Sequence, residues 1–451
     1  MTEHTSTDRA QIAPEPFKDT ETGFSGWRVR LQAARAIPTP AVVNGQLFVG
    51  GGFGSYDFYA LHSETGLLDW HLHTGDDGPT AAVLSDGYAV FNTESCTLEV
   101  VNMSTGTTAW ERWLGDPLLA QPAVADGRVF MVYPRSGHHY LGSFRLHNGE
   151  PLWEVRLDHD VITAPVVDAN KVYLSTLDGT VWAIDITSGK VDWTRQMRAT
   201  SAPWIYKGEV FVAHRDNVES GPRKPGDPER TQQYDGPMPR ERTSKFDAQS
   251  GQHSAAFKDK AAPYLAENWG MDRKATFHTA DASVGFSQSP AAAKLDVASG
   301  LIGESMVSRT WRFQGSRPVV VDGILYDTTG DVLEARDPHT GKLKWRWSDA
   351  GAEAGERRLT PPAVANGRIW AGTWDGRLIS WDATSGQVRW SIKVGAPCHW
   401  QPVVSNGRVF AGLEDGTLIS VTTGDRLDDG WPMWGGGSGH NGALQSDCVP
   451  A

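Results

Sequence analysis

Short hydrophobic runs alternate with tight polar turns along most of the chain. Runs rich in Val, Ile, Phe and Tyr flank an Asn-Gly or Asp-Gly pair in segments such as PAVADGRVFMV and PPAVANGRIWAG. Such pairs favour the positive φ angles of a two-residue hairpin turn, so each segment predicts two antiparallel strands. The predicted turns of this first series are Asn44-Gly45, Asp86-Gly87, Asp126-Gly127, Asn170, Lys207-Gly208, Asp322-Gly323, Asn366-Gly367 and Asn406-Gly407.

A second series of turns, TG or SG, stands a few residues before a tryptophan. It adds a second hairpin to each period, and the last strand of that hairpin carries the tryptophan. Four short antiparallel strands that recur at intervals of about 40 residues are typical of a β-propeller blade. A tryptophan at the same place in every blade is best explained by packing of one blade on the next. These structural tryptophans are Trp70, Trp110, Trp153, Trp193, Trp345 and Trp390.

The first series of turns predicts an all-β fold, an eight-bladed propeller of four-stranded antiparallel blades. The segment KLDVASG at 294–300 adds an unpaired copy of the second turn, so nine blades stay an alternative. The last repeat lacks a tryptophan strand, whereas GWRVR at 26–30 begins with one. The N-terminal strand is therefore predicted to complete the C-terminal repeat and close the ring, which removes exposed sheet edges.

The predicted organisation has three parts. Residues 1–26 form a flexible N-terminal arm, residues 27–424 the propeller and residues 425–451 a C-terminal tail. Blade five carries long insertions, at about 214–244 and 252–312. These insertions are rich in charge, proline and glycine, and we interpret them either as loops without a core or as a lid over the channel.

Composition and charge narrow the classes of partner. The chain of 451 residues has 42 basic and 54 acidic residues, a net charge of −12. Nucleic acid and membrane insertion are therefore not expected. The polar N-terminus shows no signal segment, and Cys96, Cys398 and Cys448 are too scattered for a disulfide framework, so we expect a cytoplasmic protein. A ring closed by its own ends needs no partner for stability, and a monomer is expected.

Two segments carry a family resemblance. DGTVWAIDITSGKVDW at 178–193 and DGRLISWDATSGQVRW at 375–390 resemble the repeat of the pyrroloquinoline-quinone-like β-propellers, which include quinoprotein alcohol dehydrogenases and BamB-type outer-membrane assembly lipoproteins. The C-terminal GWPMWGGGSGHNG is similar to a motif near the ends of such proteins. The resemblance covers roughly residues 27–424. It implies the fold, but one fold hosts many functions.

The enzymes of this family imply a quinone cofactor, pyrroloquinoline quinone (PQQ), over a channel-facing tryptophan, with calcium and a carboxylate base beside it. Trp374, Asp375, Glu414 and Asp415 are the residues here that could supply such a floor and such oxygens. The chain departs from the enzymes in lacking their Cys-Cys pair and an export signal, and in being shorter. No catalytic residue can be carried over by motif, so the catalytic residues stay unknown and no cofactor is predicted.

Function is expected where the repeats differ. The connections from the second to the third strand of a blade, and from the fourth strand to the next blade, emerge on one side of the ring, which we call the loop face. Polar loop residues are commonly just solvated, and the alternative is a binding site at the channel mouth. The candidate ligand-binding residues are Glu94, Cys96, Asp116, His159, Asp160, His214, Arg215, Trp374, Asp375, Cys398, His399, Trp400 and Gln401.

Four of the loop-face histidines are also candidate metal ligands, namely His138, His139, His159 and His399. They lack the close spacing that makes a zinc site convincing. The sequence therefore favours a non-catalytic binding or scaffold propeller, whose loop face or blade-five insertion holds a protein, peptide or small molecule. The alternative is a quinoprotein-like dehydrogenase or a metal-dependent enzyme with its site at the channel mouth.

Overall fold

The computed structural model describes residues 12–442, apart from residues 32–35, 53, 95, 116–119, 160, 162, 177, 198, 200, 216–240, 258–317, 330–331 and 349–358. The candidates Asp116 and Asp160 lie outside the described residues. So do most of the predicted blade-five insertion and the segment that suggested a ninth blade.

Eight antiparallel sheets confirm the predicted propeller. Two strands precede the first repeat, β1 (Glu15–Lys18) and β2 (Ser25–Arg30). Blades 1 to 4 each contain four strands, given from the channel outwards: β3 (Ala41–Val43), β4 (Gln46–Gly50), β5 (Asp57–His62), β6 (Leu68–His73); β7 (Val83–Ser85), β8 (Tyr88–Asn92), β9 (Thr97–Asn102), β10 (Thr108–Trp113); β11 (Ala123–Ala125), β12 (Arg128–Arg135), β13 (His138–Arg145), β14 (Pro151–Leu157); β15 (Val166–Asp168), β16 (Lys171–Ser175), β17 (Thr180–Asp185), β18 (Val191–Gln196).

Blades 5 to 8 repeat this arrangement. Their strands are β19 (Trp204–Tyr206), β20 (Glu209–Arg215), β21 (Glu241–Asp247), β22 (His253–Ala256); β23 (Pro318–Val321), β24 (Ile324–Thr329), β25 (Val332–Arg336), β26 (Leu343–Ser348); β27 (Ala363–Ala365), β28 (Arg368–Gly372), β29 (Arg377–Asp382), β30 (Val388–Lys393); β31 (Val403–Ser405), β32 (Arg408–Gly412), β33 (Thr417–Thr422). A short 3-10 helix, Trp434–Gly436, follows the last strand. No helix in the described part of the chain is long and apolar enough to cross a membrane.

Ring closure occurs as predicted in blade 8. Strand β2 pairs with β33, with Trp27 opposite Ser420, so the chain ends share one sheet. The predicted N-terminal arm also contributes: β1 adds a fifth strand to this blade, and it buries Phe17. A single apolar residue in EPFK gave too weak a strand pattern to predict β1 from the sequence.

The two-residue turns explain why the repeats fold into hairpins. Asn44, Asp86 and Asn406 have φ of 49°, 48° and 50°, the left-handed geometry that such a turn requires at its first position. In blade 4 the sequence pointed to Asn170, but Ala169 takes the left-handed conformation, with φ of 50°. We call the side of the ring that carries these turns, and the second series of turns, the turn face.

Outer-strand tryptophans connect neighbouring blades. Trp193 of blade 4 is buried, and its indole Nε1 donates a hydrogen bond of 3.0 Å to Ala248 O of blade 5. Gly251 lies under the indole; a Cβ there would stand 2.5 Å from the ring, and its φ is 64°. In blade 5 Phe257 occupies this position and packs on Gly341. Equivalent indole hydrogen bonds are donated by Trp27, Trp70, Trp110, Trp153 and Trp345.

The C-terminal tail fills the central channel. It starts on blade 7, where Arg368 pairs with Asp425 and Asp428, and then crosses the channel. Trp431 is fully buried and stacks on Trp204 of blade 5, with 5.9 Å between the ring centroids. Inner strands of four blades donate backbone hydrogen bonds to tail carbonyls, from Val42 to Pro432, Val124 to Ser438, Val167 to Gly439 and Val404 to Trp431. The tail is therefore part of the propeller core.

Blade 2 buries a carboxylate beside blade 1. Glu99 of β9 is 3% exposed and lies directly opposite Glu111 of β10. Burial, followed by the negative charge of Glu111, raises the pKa of Glu99 to about 7. Because the folded protein holds this proton more tightly than the unfolded chain, the fold is most stable while Glu99 is protonated.

The stability of the protein should consequently fall between about pH 4.5 and pH 7. A shift of this size corresponds to about 3 kcal/mol lost across that window. We expect Glu99→Gln to remove this loss, so that the variant unfolds at higher urea than the wild type at pH 8 and at a similar urea concentration at pH 4.5. Glu111→Gln, which removes only the neighbouring charge, should give a smaller gain. Identical pH dependence in wild type and Glu99→Gln would contradict the assignment.

Candidate functional site

The loop face of blades 7 and 8 brings together an aromatic ring, an imidazole and a carboxylate. Trp374 lies in the connection between β28 and β29, and His399 in the connection between blades 7 and 8. Their rings meet edge to face, with 5.2 Å between centroids. His399 Nε2 lies 3.3 Å from Glu414 Oε1, which belongs to the next connection of blade 8. His399 is nearly buried, whereas the Glu414 side chain is 50% exposed, so the cluster presents its acidic edge to solvent.

The neighbours of His399 face the core. Cys398 is fully buried, and burial raises the pKa of its thiol to about 12, so it stays a neutral thiol and is no nucleophile at neutral pH. Trp400 is also buried. Gln401 reaches the channel: its Nε2 donates to Pro362 O at 2.7 Å, and its Oε1 accepts from the backbone N–H of Gly435 in the tail at 2.8 Å. Gln401 thus holds the tail in place.

A second polar cluster lies on blades 3 and 4. His159 Nε2 stands 3.8 Å from Asp178 Oδ2, across the gap between the two blades. Burial lowers the pKa of His139 to about 4, and the nearby His159 and His138 lower it further, so His139 is neutral at pH 7. His138 is exposed, and its Nδ1 lies 3.1 Å from Arg156 Nη2.

The remaining candidates are distributed around the ring. Glu94 and Cys96 lie between β8 and β9 of blade 2, where Cys96 is buried and adopts a φ of 53°. His214 of β20 is within 2.9 Å of Ser244 Oγ, and Arg215 ends the same strand. Asp375 Oδ1 accepts a hydrogen bond of 2.5 Å from Thr373 Oγ1 and thereby closes its own turn.

Ring order decides which candidates can cooperate. Blades 3 and 7 stand opposite each other in an eight-membered ring, so His139 and His159 cannot share a site with His399. Within the described ranges, no three His, Cys, Asp or Glu side chains come close enough to hold a metal ion. The four histidines proposed as metal ligands therefore do not form one centre. Cys96 and Cys398 are both buried free thiols on separate blades.

Comparison with known proteins identifies the repeat. A family model described as outer membrane protein assembly factor BamB matches residues 94–219 and 328–432, about half of the chain. The chain belongs to this family of PQQ-like β-propellers. The matched ranges include both polar clusters of the loop face.

Relatives of two kinds match parts of the chain. BamB of Yersinia pestis is 23% identical over 223 residues, which are 44% of this chain and 56% of the Yersinia protein. The dehydrogenase subunit of a quinone alcohol dehydrogenase from Gluconacetobacter polyoxogenes is 37% identical over 97 residues, 20% of this chain and 13% of that protein. The matches thus span about half the length of the first relative and a small part of the second.

A solved structure shows the shared fold over most of the chain. BamB from Moraxella catarrhalis superposes with a TM-score of 0.58 at 16% sequence identity, covering 88% of this chain and 98% of that chain. Identity at this level supports the common PQQ-like propeller and leaves the site to be judged from its own residues.

The loop face does not fit the quinone and calcium of the dehydrogenase members of the PQQ-like family. Calcium takes six to eight oxygen ligands. The carboxylates beside Trp374 are already used locally: Asp375 closes a turn with Thr373, Asp415 accepts the backbone N–H of Thr417, and Glu414 faces His399. The His399 ring also stands edge-on against the Trp374 indole.

The structure adds residues that sequence reasoning missed. His440 and Asn441 of the tail are placed against the inner strands: His440 Nε2 lies 2.8 Å from Pro122 O, and Asn441 Nδ2 donates to Asp168 Oδ1 at 3.0 Å. The signal was present in GWPMWGGGSGHNG, because two tryptophans and a methionine among glycines are unusual for a solvated tail. The interpretation of 425–451 as a simple tail overlooked it.

Proposed function

We propose that this PQQ-like propeller is a non-catalytic binding protein that holds a protein partner on its loop face. The observation that carries the proposal is the exposure of large aromatic side chains on this face while the channel is filled. Trp113, at the loop-face end of β10, is 71% exposed, and Tyr56 of the neighbouring blade is 46% exposed. Exposed aromatic residues of this kind are typical anchors of protein interfaces.

The occupied channel supports this proposal. Many small-molecule sites are deep, largely enclosed pockets. Here the Trp431 and Trp434 side chains and the buried His440 occupy the axis of the ring. A partner would therefore meet the outer part of the loop face, where side chains from several blades point to solvent.

The surroundings of the aromatic residues indicate the chemistry of the partner. Tyr56 stacks on His73, whose Nδ1 is 3.0 Å from Asp57 Oδ1. Glu94 belongs to the adjacent connection of blade 2, and Glu414 to the cluster on blade 8. Apolar rings bordered by carboxylates suit a protein segment with apolar and basic side chains. The family name, an assembly factor, is consistent with a role in holding other proteins. A cytoplasmic location remains a prediction, to be checked by cell fractionation.

Site-specific photo-crosslinking tests the loop face as a binding surface. A photoreactive phenylalanine analogue at position 113 or 56 should give the same discrete crosslinked product in extract of the native cells. The analogue at Leu67, which is also exposed but lies in the turn between β5 and β6, is the control on the turn face. The product isolated from position 113 should bind wild type about tenfold more tightly than Trp113→Ala, a change typical of one interface anchor.

Two results would count against the proposal. One is crosslinking of equal yield and identity from Leu67, which would mean contact without a preferred face. The other is unchanged affinity of Trp113→Ala together with unchanged affinity of Tyr56→Ala.

A further inference from the structure

A polar cleft of about 560 Å³ opens on the turn face, on the opposite side of the ring from the proposed partner surface. It lies at the seam where blade 8 meets blade 1 and where the C-terminal tail begins. Its lining consists of glycines and polar or charged residues, among them His62, Ser63, Asn406, Arg408 and Arg426. A cleft of this size suits a small molecule, and its lining suits a strongly polar one.

Arg408 is the central charge of the cleft. Its side chain is half-buried, and its Nη1 donates a hydrogen bond of 3.1 Å to Ser420 Oγ. No carboxylate of the described residues lies within ion-pair distance of it. Burial lowers the pKa of the Arg408 guanidinium, but an arginine remains protonated at neutral pH. The guanidinium therefore offers several donors to a ligand in the cleft.

Equivalent positions in other blades show what Arg408 lacks. Arg408 directly follows the first turn of its blade. In blade 7 the residue at this place, Arg368, is neutralised by Asp425 and Asp428. In blade 4 it is Lys171, which pairs with Asp192. The same scaffold position is thus usually saturated by a carboxylate, whereas at Arg408 an open cleft takes its place.

Further charges in the cleft favour an anion. Arg426 adds an exposed second guanidinium, and His62 adds an imidazole. Asp425 also lines the cleft, but Arg368 and the Asn366 amide already bind it. Glu64 is the opposing charge, since its carboxylate attracts Arg408 electrostatically. Two arginines and a histidine against one uncommitted carboxylate leave the cleft positive.

We propose that this cleft binds a small phosphate-bearing ligand, with Arg408 and Arg426 as its charge partners. Guanidinium groups form paired, charge-assisted hydrogen bonds with phosphate oxygens, and the neighbouring Ser63 and Thr422 hydroxyls can add neutral ones. A ligand held there contacts blade 8, blade 1 and the start of the tail. Binding therefore clamps the seam that closes the ring, and it stabilises the folded protein by linkage.

Thermal unfolding and titration calorimetry with inorganic pyrophosphate test this proposal, with sodium chloride at matched ionic strength as the salt control. We expect a saturable rise in Tm for the wild type and a loss of affinity of tenfold or more in Arg408→Gln. Glu64→Gln should bind more tightly, because it removes the competing carboxylate. Arg128→Gln is the matched control, since Arg128 directly follows the first turn of blade 3 and should leave binding unchanged.

Adenosine diphosphate as a second probe separates the sources of the phosphate group. Tighter binding than pyrophosphate, still lost in Arg408→Gln, assigns a nucleotide, whereas equal or weaker binding assigns the phosphate group alone. The proposal is overturned if sodium chloride reproduces the rise in Tm. It is also overturned if Arg408→Gln and Arg128→Gln respond to pyrophosphate as the wild type does. Because the protein carries a net charge of −12, general attraction of anions would not imitate a saturable response.

Discussion

Replacement of Trp193 by alanine is expected to lower the free energy of unfolding by about 3–5 kcal/mol, the usual cost of deleting a buried aromatic side chain. Trp193 is 6% exposed, donates its indole hydrogen bond to Ala248 O and covers Gly251 of the next blade. Alanine would leave a cavity between blades 4 and 5 and an unsatisfied carbonyl at its edge. Urea unfolding followed by tryptophan fluorescence and circular dichroism measures the change.

Trp113 provides the matched control for this substitution. It also lies on an outer strand, but it is 71% exposed and makes no comparable contact with the next blade. Trp113→Ala should therefore change the free energy of unfolding by less than about 0.5 kcal/mol. Equal stability of Trp193→Ala and wild type would mean that the outer-strand tryptophans do not hold neighbouring blades together.

The second large effect is expected at Trp431, in the tail. Trp431→Ala should cost about 3–5 kcal/mol, because the indole is fully buried and stacks on Trp204 across the channel. The loss should also loosen the backbone hydrogen bonds that Val404 exchanges with this residue. Hydrogen exchange of the inner strands, measured together with urea unfolding, should show faster exchange at β31 and β19 in the variant.

Leu427 is the control within the same segment. Its side chain is 74% exposed, so Leu427→Ala should leave stability and exchange unchanged. If Trp431→Ala is as stable as Leu427→Ala, the tail is an accessory to the propeller. Its filling of the channel would then no longer support a partner site on the outer loop face.

The sequence predicted the blade because each blade is specified locally. The Asn366-Gly367 and Asn406-Gly407 turns determine their own hairpins, and a hairpin repeated around a ring leaves little freedom in topology. Ring closure was predictable for the same reason, since a lone tryptophan strand at 26–30 had a matching gap in the last repeat. The tail was not, because its partners are backbone groups of inner strands such as Val124 and Val167, which no side-chain pattern encodes.

The candidate site was predicted only as a face of the ring. The repeat placed Trp374, His399 and Glu414 on that face, but their mutual distances depend on loop conformations in two blades. Opposite blades also separated the histidines that looked alike in sequence. Burial removed Cys398 from the reactive candidates, a property that a loop position alone does not reveal.

The central claim, a binding propeller without quinone catalysis, is tested most directly by native mass spectrometry of the full chain after incubation with PQQ and calcium, combined with alcohol-dependent dye reduction on the same sample. We predict that the mass stays that of the polypeptide and that no dye is reduced. One PQQ and one calcium ion per chain, together with alcohol-dependent turnover, would contradict the account and would return the loop face of blades 7 and 8 to consideration as an active site.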